Sequence, residues 1–113
     1  MINLKASVYT ALSGICANVS FYHPESFENF PCISYYEITN KETTRVDDGE
    51  YASEIEFIVD IWSKDASDIS SLAISVNTAM QDIGFKRTAS RDMYEQDTKI
   101  YHKNMKFTQT ICE

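Results

Sequence analysis

Residues 51–84 read YASEIEFIVDIWSKDASDISSLAISVNTAMQDIG, and the architecture follows from how this stretch changes its period. In its first half Tyr51, Ile55, Phe57, Val59 and Ile61 point one way, while Glu54, Glu56, Asp60 and Lys64 point the other. Alternation with a period of two is the mark of a β-strand with one dry and one wet face. Ile58 and Trp62 fall among the wet residues and break that pattern. After Ser63-Lys64-Asp65 the period becomes helical. Ile69, Leu72, Ala73, Val76, Ala79, Met80 and Ile83 make one apolar stripe. Asp65 and Asp68 suit the positive end of that helix, and Gly84 suits the residue just past its other end.

Working outward, Leu4, Val8, Ala11, Leu12 and Ile15 make a second stripe, predicting a three-turn helix over residues 4–15 with Asn3 as its cap. So short a helix is marginal alone in water and must dock its apolar face. Val19-Ser20-Phe21-Tyr22 reads as a short strand, and the rest of residues 18–31 as an aromatic loop. Residues 32–39 are β-branched and aromatic, predicting a strand. Lys41 to Val46 then lead polar residues into Asp47-Asp48-Gly49, a hairpin turn signal. Past Gly84, residues 85–96 and 99–112 predict two antiparallel strands joined near Asp97-Thr98. In the second, Tyr101, Met105, Phe107 and Ile111 alternate with His102, Asn104, Lys106 and Thr108. The order of elements predicts an α+β fold: an antiparallel or mixed sheet of four to five strands, with two helices packed mainly on one face.

The 113 residues fit one domain, and the −7 net charge disfavours a protein that grips nucleic-acid phosphates. No apolar run reaches membrane-span length, and the start lacks the basic and apolar regions of a signal peptide. The expectation is a protein kept in the cytoplasm until it is assembled elsewhere. The three cysteines, Cys16, Cys32 and Cys112, form no Cys-x-x-Cys pair, and His23 and His102 lie far apart in sequence. Neither a disulfide framework nor a zinc site is expected.

Catalysis needs convergent groups, and few are on offer. Gly14, Gly49 and Gly84 are too scattered for a phosphate-cradling loop. Cys32 with His23 or His102 is the one conceivable nucleophilic pair, and a small buried cysteine is the plainer reading. Glu54 with Glu56 looks like a solvated strand face, and Asp47 with Asp48 like turn chemistry. The expectation is therefore no enzyme, no cofactor and no metal.

What remains is surface. Ile58 and Trp62 on one strand, and Tyr36 and Ile38 on the strand before, give the hairpin apolar groups on both faces. Either the first helix or the aromatic loop covers the second face, or another subunit does. The polar tip, with Arg45, Asp47 and Asp48, is expected to protrude and to be ordered by a partner. Tyr36, Ile38, Arg45, Asp47, Asp48, Ile58 and Trp62 are thus the candidate interface residues.

Ile58-Val59-Asp60-Ile61-Trp62-Ser63-Lys64-Asp65, followed at once by the helix of residues 66–80, resembles the central signature of phage tail-completion proteins, also called tail terminators or tail-to-head joining proteins. Tyr9-Thr10-Ala11-Leu12 in the first helix, Phe30-Pro31-Cys32-Ile33 leading into the first long strand, and Met105-Lys106-Phe107 near the end are similar to that family too. The resemblance implies one tail-terminator-like domain over residues 1–113. It implies a structural virion protein of the tail or neck, assembled in the host cytoplasm. That protein would cap the tail tube as a ring, commonly a hexamer, end tube polymerisation and form the head–tail joining surface. The implied partners are further copies of itself, tail-tube protein and head connector proteins. DNA would pass through without tight binding, and no membrane is involved. Six copies at −7 carry roughly −40, which suits a lumen that lets DNA slide. Two other classes compete: a stand-alone dimeric α+β binding or regulatory module, and a thiol enzyme using Cys32. Another phage neck protein is an alternative within the leading class.

Overall fold

The computed structural model describes residues 2–22, 30–44 and 51–112. The elements run α1 (Lys5–Ser13), β1 (Val19–Phe21), β2 (Cys32–Thr44), β3 (Tyr51–Ser63), α2 (Ala66–Asp82), β4 (Lys86–Glu95) and β5 (Ile100–Cys112). The five strands form one mixed sheet in the order β1-β2-β3-β5-β4. β1 runs parallel to β2, and every other pairing is antiparallel. Both helices lie on one face, so the α+β expectation holds. Among the described residues no helix is long and apolar enough to cross a membrane.

The helix-side core is the dry face predicted for β3. Ile55, Phe57, Val59 and Ile61 meet Ile33 and Tyr35 of β2 and Met105 and Phe107 of β5. Val8 and Leu12 of α1 and Ile69, Val76 and Met80 of α2 close over them. Each such aliphatic side chain, fully buried, stabilises the fold by roughly 1.5–3 kcal/mol.

α2 is held at both ends by local chemistry. Asp65 is the N-cap, its carboxylate accepting from the Ser67 backbone N–H at 2.9 Å and the Ser67 hydroxyl at 2.8 Å. These bonds hold the Asp65 carboxyl below its usual range. At the far end Gly84 has φ +96°, its N–H donates to Gln81 O, and the Phe85 N–H donates to Met80 O at 2.9 Å. That pair of bonds is the Schellman arrangement, with Phe85 packing back into the core beside Met80. A Cβ on Gly84 would also run into the Gln109 side-chain amide.

Element ends shift by a residue or two from expectation, and larger differences fall in α1 and β2. α1 spans Lys5–Ser13, shorter than residues 4–15, and its N-cap is Leu4. Asn3 still does capping chemistry, its Oδ1 accepting from the Lys5 N–H at 3.1 Å. β2 does not stop at Thr39 but continues to Thr44, because its polar half stays in register with β3. Finally, a bulge leaves Ile38 unpaired between Glu37, opposite Phe57, and Thr39, opposite Glu56.

Candidate assembly surface

Register alone sets out the sheet face opposite the helices. One row runs Cys32, Trp62, His102, Met93; the next runs Ser34, Asp60, Asn104, Arg91; a third runs Tyr36, Ile58, Lys106, Ala89. This is the face that alternation marks as wet, and in the middle it is not wet. Asp60 is 5% exposed, Ile58 8% and Trp62 9%.

A buried carboxylate has to be hydrogen-bonded. Asp60 Oδ1 accepts from Asn104 Nδ2 at 2.8 Å and lies 2.7 Å from His102 Nε2. The His102 ring in turn stacks on Trp62, centroids 4.5 Å apart and planes 13° apart. Trp62 also packs with Cys32, Ile100 and Phe30 in a small second core. The Ser34 hydroxyl, in register beside Asp60, is buried and finds no hydrogen-bond partner among the described residues. Further along, Tyr36 stacks on Tyr22 at 5.5 Å. Burial, with the Asp60 carboxylate adding to it, holds the Tyr36 hydroxyl above its usual range. Glu56 lies 3.0 Å from Lys106 Nζ and 3.4 Å from the Thr108 hydroxyl. The bond from Lys106 is the main reason its carboxyl lies below the usual range.

The candidate interface residues therefore separate. Ile58 and Trp62 are buried within the chain itself. Tyr36 is half-buried under Tyr22, which is itself 61% exposed. Ile38 is exposed at the bulge. Arg45, Asp47 and Asp48, with the turn they were read to form, lie outside the described residues. The residues that sequence reasoning missed here are Asp60, taken for a solvated charge, and its partners His102 and Asn104. The one signal for them was polar residues two apart on the last strand, which means nothing until β5 is known to lie beside β3.

The sheet edges are the other open feature. β4 is an edge strand with nine of its ten residues exposed. At the opposite edge β1 pairs only with residues 33–35 of β2, and the Tyr22 N–H adds one bond to Tyr35 O. Residues 36–44 have no strand on that side among the described residues. Between α2 and β4 runs a shallow cleft, lined by Ile69, Ser70 and Ile74 from the helix and Arg87, Asp92 and Tyr94 from the strand. Asn77 Oδ1 at the helix flank is buried with no partner among the described residues.

Among the described residues, no nucleophile and base converge on this surface. Burial, with Cys16 adding to it, pushes the Cys32 thiol up to about 11, the reverse of what a nucleophile needs. His102 sits two strands from Cys32, about 10 Å by ordinary strand spacing, and is committed to Asp60. His23 lies outside the described residues. Among those described, no three His, Cys, Asp or Glu side chains gather where they could hold a metal ion.

Two helices on one face of a mixed five-stranded sheet, with a polar and aromatic opposite face, define the class as a small α+β domain also found in virions. A chain in a structure of the virion of a native gene transfer agent (GTA) particle has the same fold. The TM-score is 0.71 at 12% identity, over 97% of this chain and 95% of that one. Residues 4–111 match the tail completion protein gp17 family, and the chain belongs to it. It is thus a phage tail-completion protein, a structural protein of the virion tail. No curated protein sequence matches the chain.

Proposed function

We propose that this chain caps the tail tube as a ring of identical subunits, ends tube polymerisation, and offers the head connector its joining surface. The membership of residues 4–111 in the tail-completion family carries this reading. The geometry is in keeping with it. The described surface offers sheet edges and polar faces for protein contact, and its one candidate nucleophile is buried and protonated at neutral pH. A ring needs a head-to-tail interface made of two different patches, and an open sheet has two different edges. A hexamer with an acid-lined lumen for passing DNA is the finer form of the proposal.

The test adds purified protein to polymerising tail-tube protein and measures tube length by electron microscopy. The expected result is short tubes, each bearing a ring at one end. Tubes of unchanged length and bare ends would sink the proposal. The lumen can be tested separately by imaging the ring itself. Acidic residues found on its outer rim would refute the DNA-sliding role and leave the cap intact.

A further inference from the structure

Of the two readings of Ile58 and Trp62, cover from within the chain leaves them no room for a face-to-face contact, because both are already buried. Among the described residues, two unlike strand edges are open. One is β4, ten residues long. The other is residues 36–44 of β2, beside which no described strand lies. An unpaired edge presents a row of backbone N–H and C=O groups to any strand laid beside it.

We infer that copies of this chain join head to tail by pairing the β4 edge of one with the uncovered β2 edge of the next, so that the sheet runs on from subunit to subunit. The inference rests on the ring reading above and names its interface.

Length and charge both favour a second copy as the occupant. The two free stretches are ten and nine residues, so neither partner leaves the other largely unmatched. In residues 86–106, the β4–β5 side, Lys86, Arg87, Arg91, Lys99, Lys103 and Lys106 face three acids, Asp92, Glu95 and Asp97, a balance of +3. On the β2–β3 side Glu37, Glu42, Glu54, Glu56 and Asp60 face Lys41 alone among the described residues, a balance of −4. Some of these charges are already paired within the chain, Lys106 with Glu56 and Lys103 with Asp92. On the edge strands alone the balance is +1 on β4, with Lys86, Arg87 and Arg91 against Asp92 and Glu95. It is −1 on residues 36–44 of β2, with Glu37 and Glu42 against Lys41, so the separation has a direction. Pairing β4 with β4, or β2 with β2, brings like charges together; pairing β4 with β2 brings opposites together. Edge strands are commonly protected from self-pairing by charges and bulges, and both devices are present, at Thr88 and Ile38. Here the protection is sign-specific. It disfavours the isologous contact relative to the heterologous one, which is the kind that builds rings. The bulges still leave residues 89–95 and 39–44 regular.

The cleft under α2 is also lined by Tyr101, Lys103 and Met105 of β5, so it lies over the sheet just inward of the β4 edge, within side-chain reach of a strand paired there. Exposed Ile74 and Tyr94 stand over it, and the unpartnered Asn77 Oδ1 lies on the same flank. Main-chain bonds and side-chain contacts would then come from the same docked segment.

The experiment measures self-association by light scattering up to millimolar protein, for the natural chain and three exposed-charge variants. These are Lys86→Glu with Arg91→Glu on β4, Glu42→Lys on β2, and all three changes together. Association of the natural chain should weaken with added salt. It should weaken about tenfold or more in each single-edge variant, and recover in the combined one. Backbone amides of residues 39–44 and 89–95 should gain hydrogen-exchange protection on association. A natural chain that stays monomeric throughout overturns the inference. So does association that ignores the charge reversals, or protection confined to the Tyr22–Tyr36 face. If any of these occurs while the protein still stops tube growth, only the interface is wrong. If tube growth is also unaffected, the ring reading falls with it.

Discussion

Replacing Trp62 by alanine separates a structural role from an interface role for the most prominent aromatic on β3. The ring is 9% exposed and belongs to a small satellite core with Cys32, Ile100 and Phe30. Trp or Phe to Ala changes in cores cost about 3–5 kcal/mol. The satellite position on the sheet face away from both helices argues for the lower end, about 3 kcal/mol. The stack on His102 accounts for about 0.5–1.5 kcal/mol of that. For a chain of this length about 3 kcal/mol lowers Tm by roughly 12 °C. Urea unfolding followed by circular dichroism is the suitable assay, because Trp62 is the one tryptophan and the variant loses its own fluorescence probe. It should be run at low protein concentration, where association adds nothing to apparent stability. His102→Ala and the double variant complete a cycle whose coupling measures the stack. The reasoning is refuted if Trp62→Ala costs less than about 1 kcal/mol while abolishing self-association. Trp62 would then be an interface residue, and the chain's own cover over it would be incidental.

Gly84→Ala should cost about 2 kcal/mol or more, since φ +96° is left-handed backbone and the added Cβ meets Gln109. Pairing it with Gln109→Ala should recover the steric part in the same unfolding assay and leave the backbone part. Cys32, pushed up to about 11, should react with iodoacetamide at neutral pH roughly a hundredfold more slowly than exposed Cys112, read by peptide mass spectrometry. Fast labelling of Cys32 would revive the thiol-enzyme reading. On the acid side the sign follows from Glu56, whose carboxyl lies below its usual range when folded. Its contribution is present above the unfolded carboxylate pKa and is lost as pH falls through the lower folded value. Lys106→Gln should flatten that part of an acid-unfolding profile, because the Lys106 bond is the largest cause of the shift.

Much of the fold was legible because the relevant signals are local. The period of β3, the cap at Asp65 and the stop at Gly84 are each written within a few residues, and each is where the structure has it. β2 was read too short because its outer half is polar and has no local signature. It is a strand through register with β3, which is a non-local property. Asp60 failed for the same reason at the level of the site. A carboxylate between two apolar residues on a strand looks solvated until His102 and Asn104 arrive from a strand more than forty residues later. Apolar groups on a wet face call for cover, and pattern alone leaves open whether the chain's own helix or aromatic loop supplies it or another subunit does. For Ile58 and Trp62 the chain supplies it, Phe30 of the aromatic loop packing beside Trp62.

That burial bears on the capping role proposed above. A protein that caps a tube end must not aggregate before reaching it, and broad exposed apolar patches invite aggregation. Here the sheet's second face is closed by Trp62, His102 and the Asp60 cluster, leaving backbone edges as the open contact. Hydrogen bonds at such edges exchange water for protein and yield only about 0.5–1.5 kcal/mol net apiece. A single edge-to-edge contact is therefore weak. Ring closure changes the balance, because the last subunit makes two contacts at once and the second forms at a high effective concentration. A tube end that holds several copies side by side supplies the same advantage from the start. Association that is weak between pairs and firm once closed would keep free subunits apart and bound subunits in place, which is the behaviour a terminal cap requires.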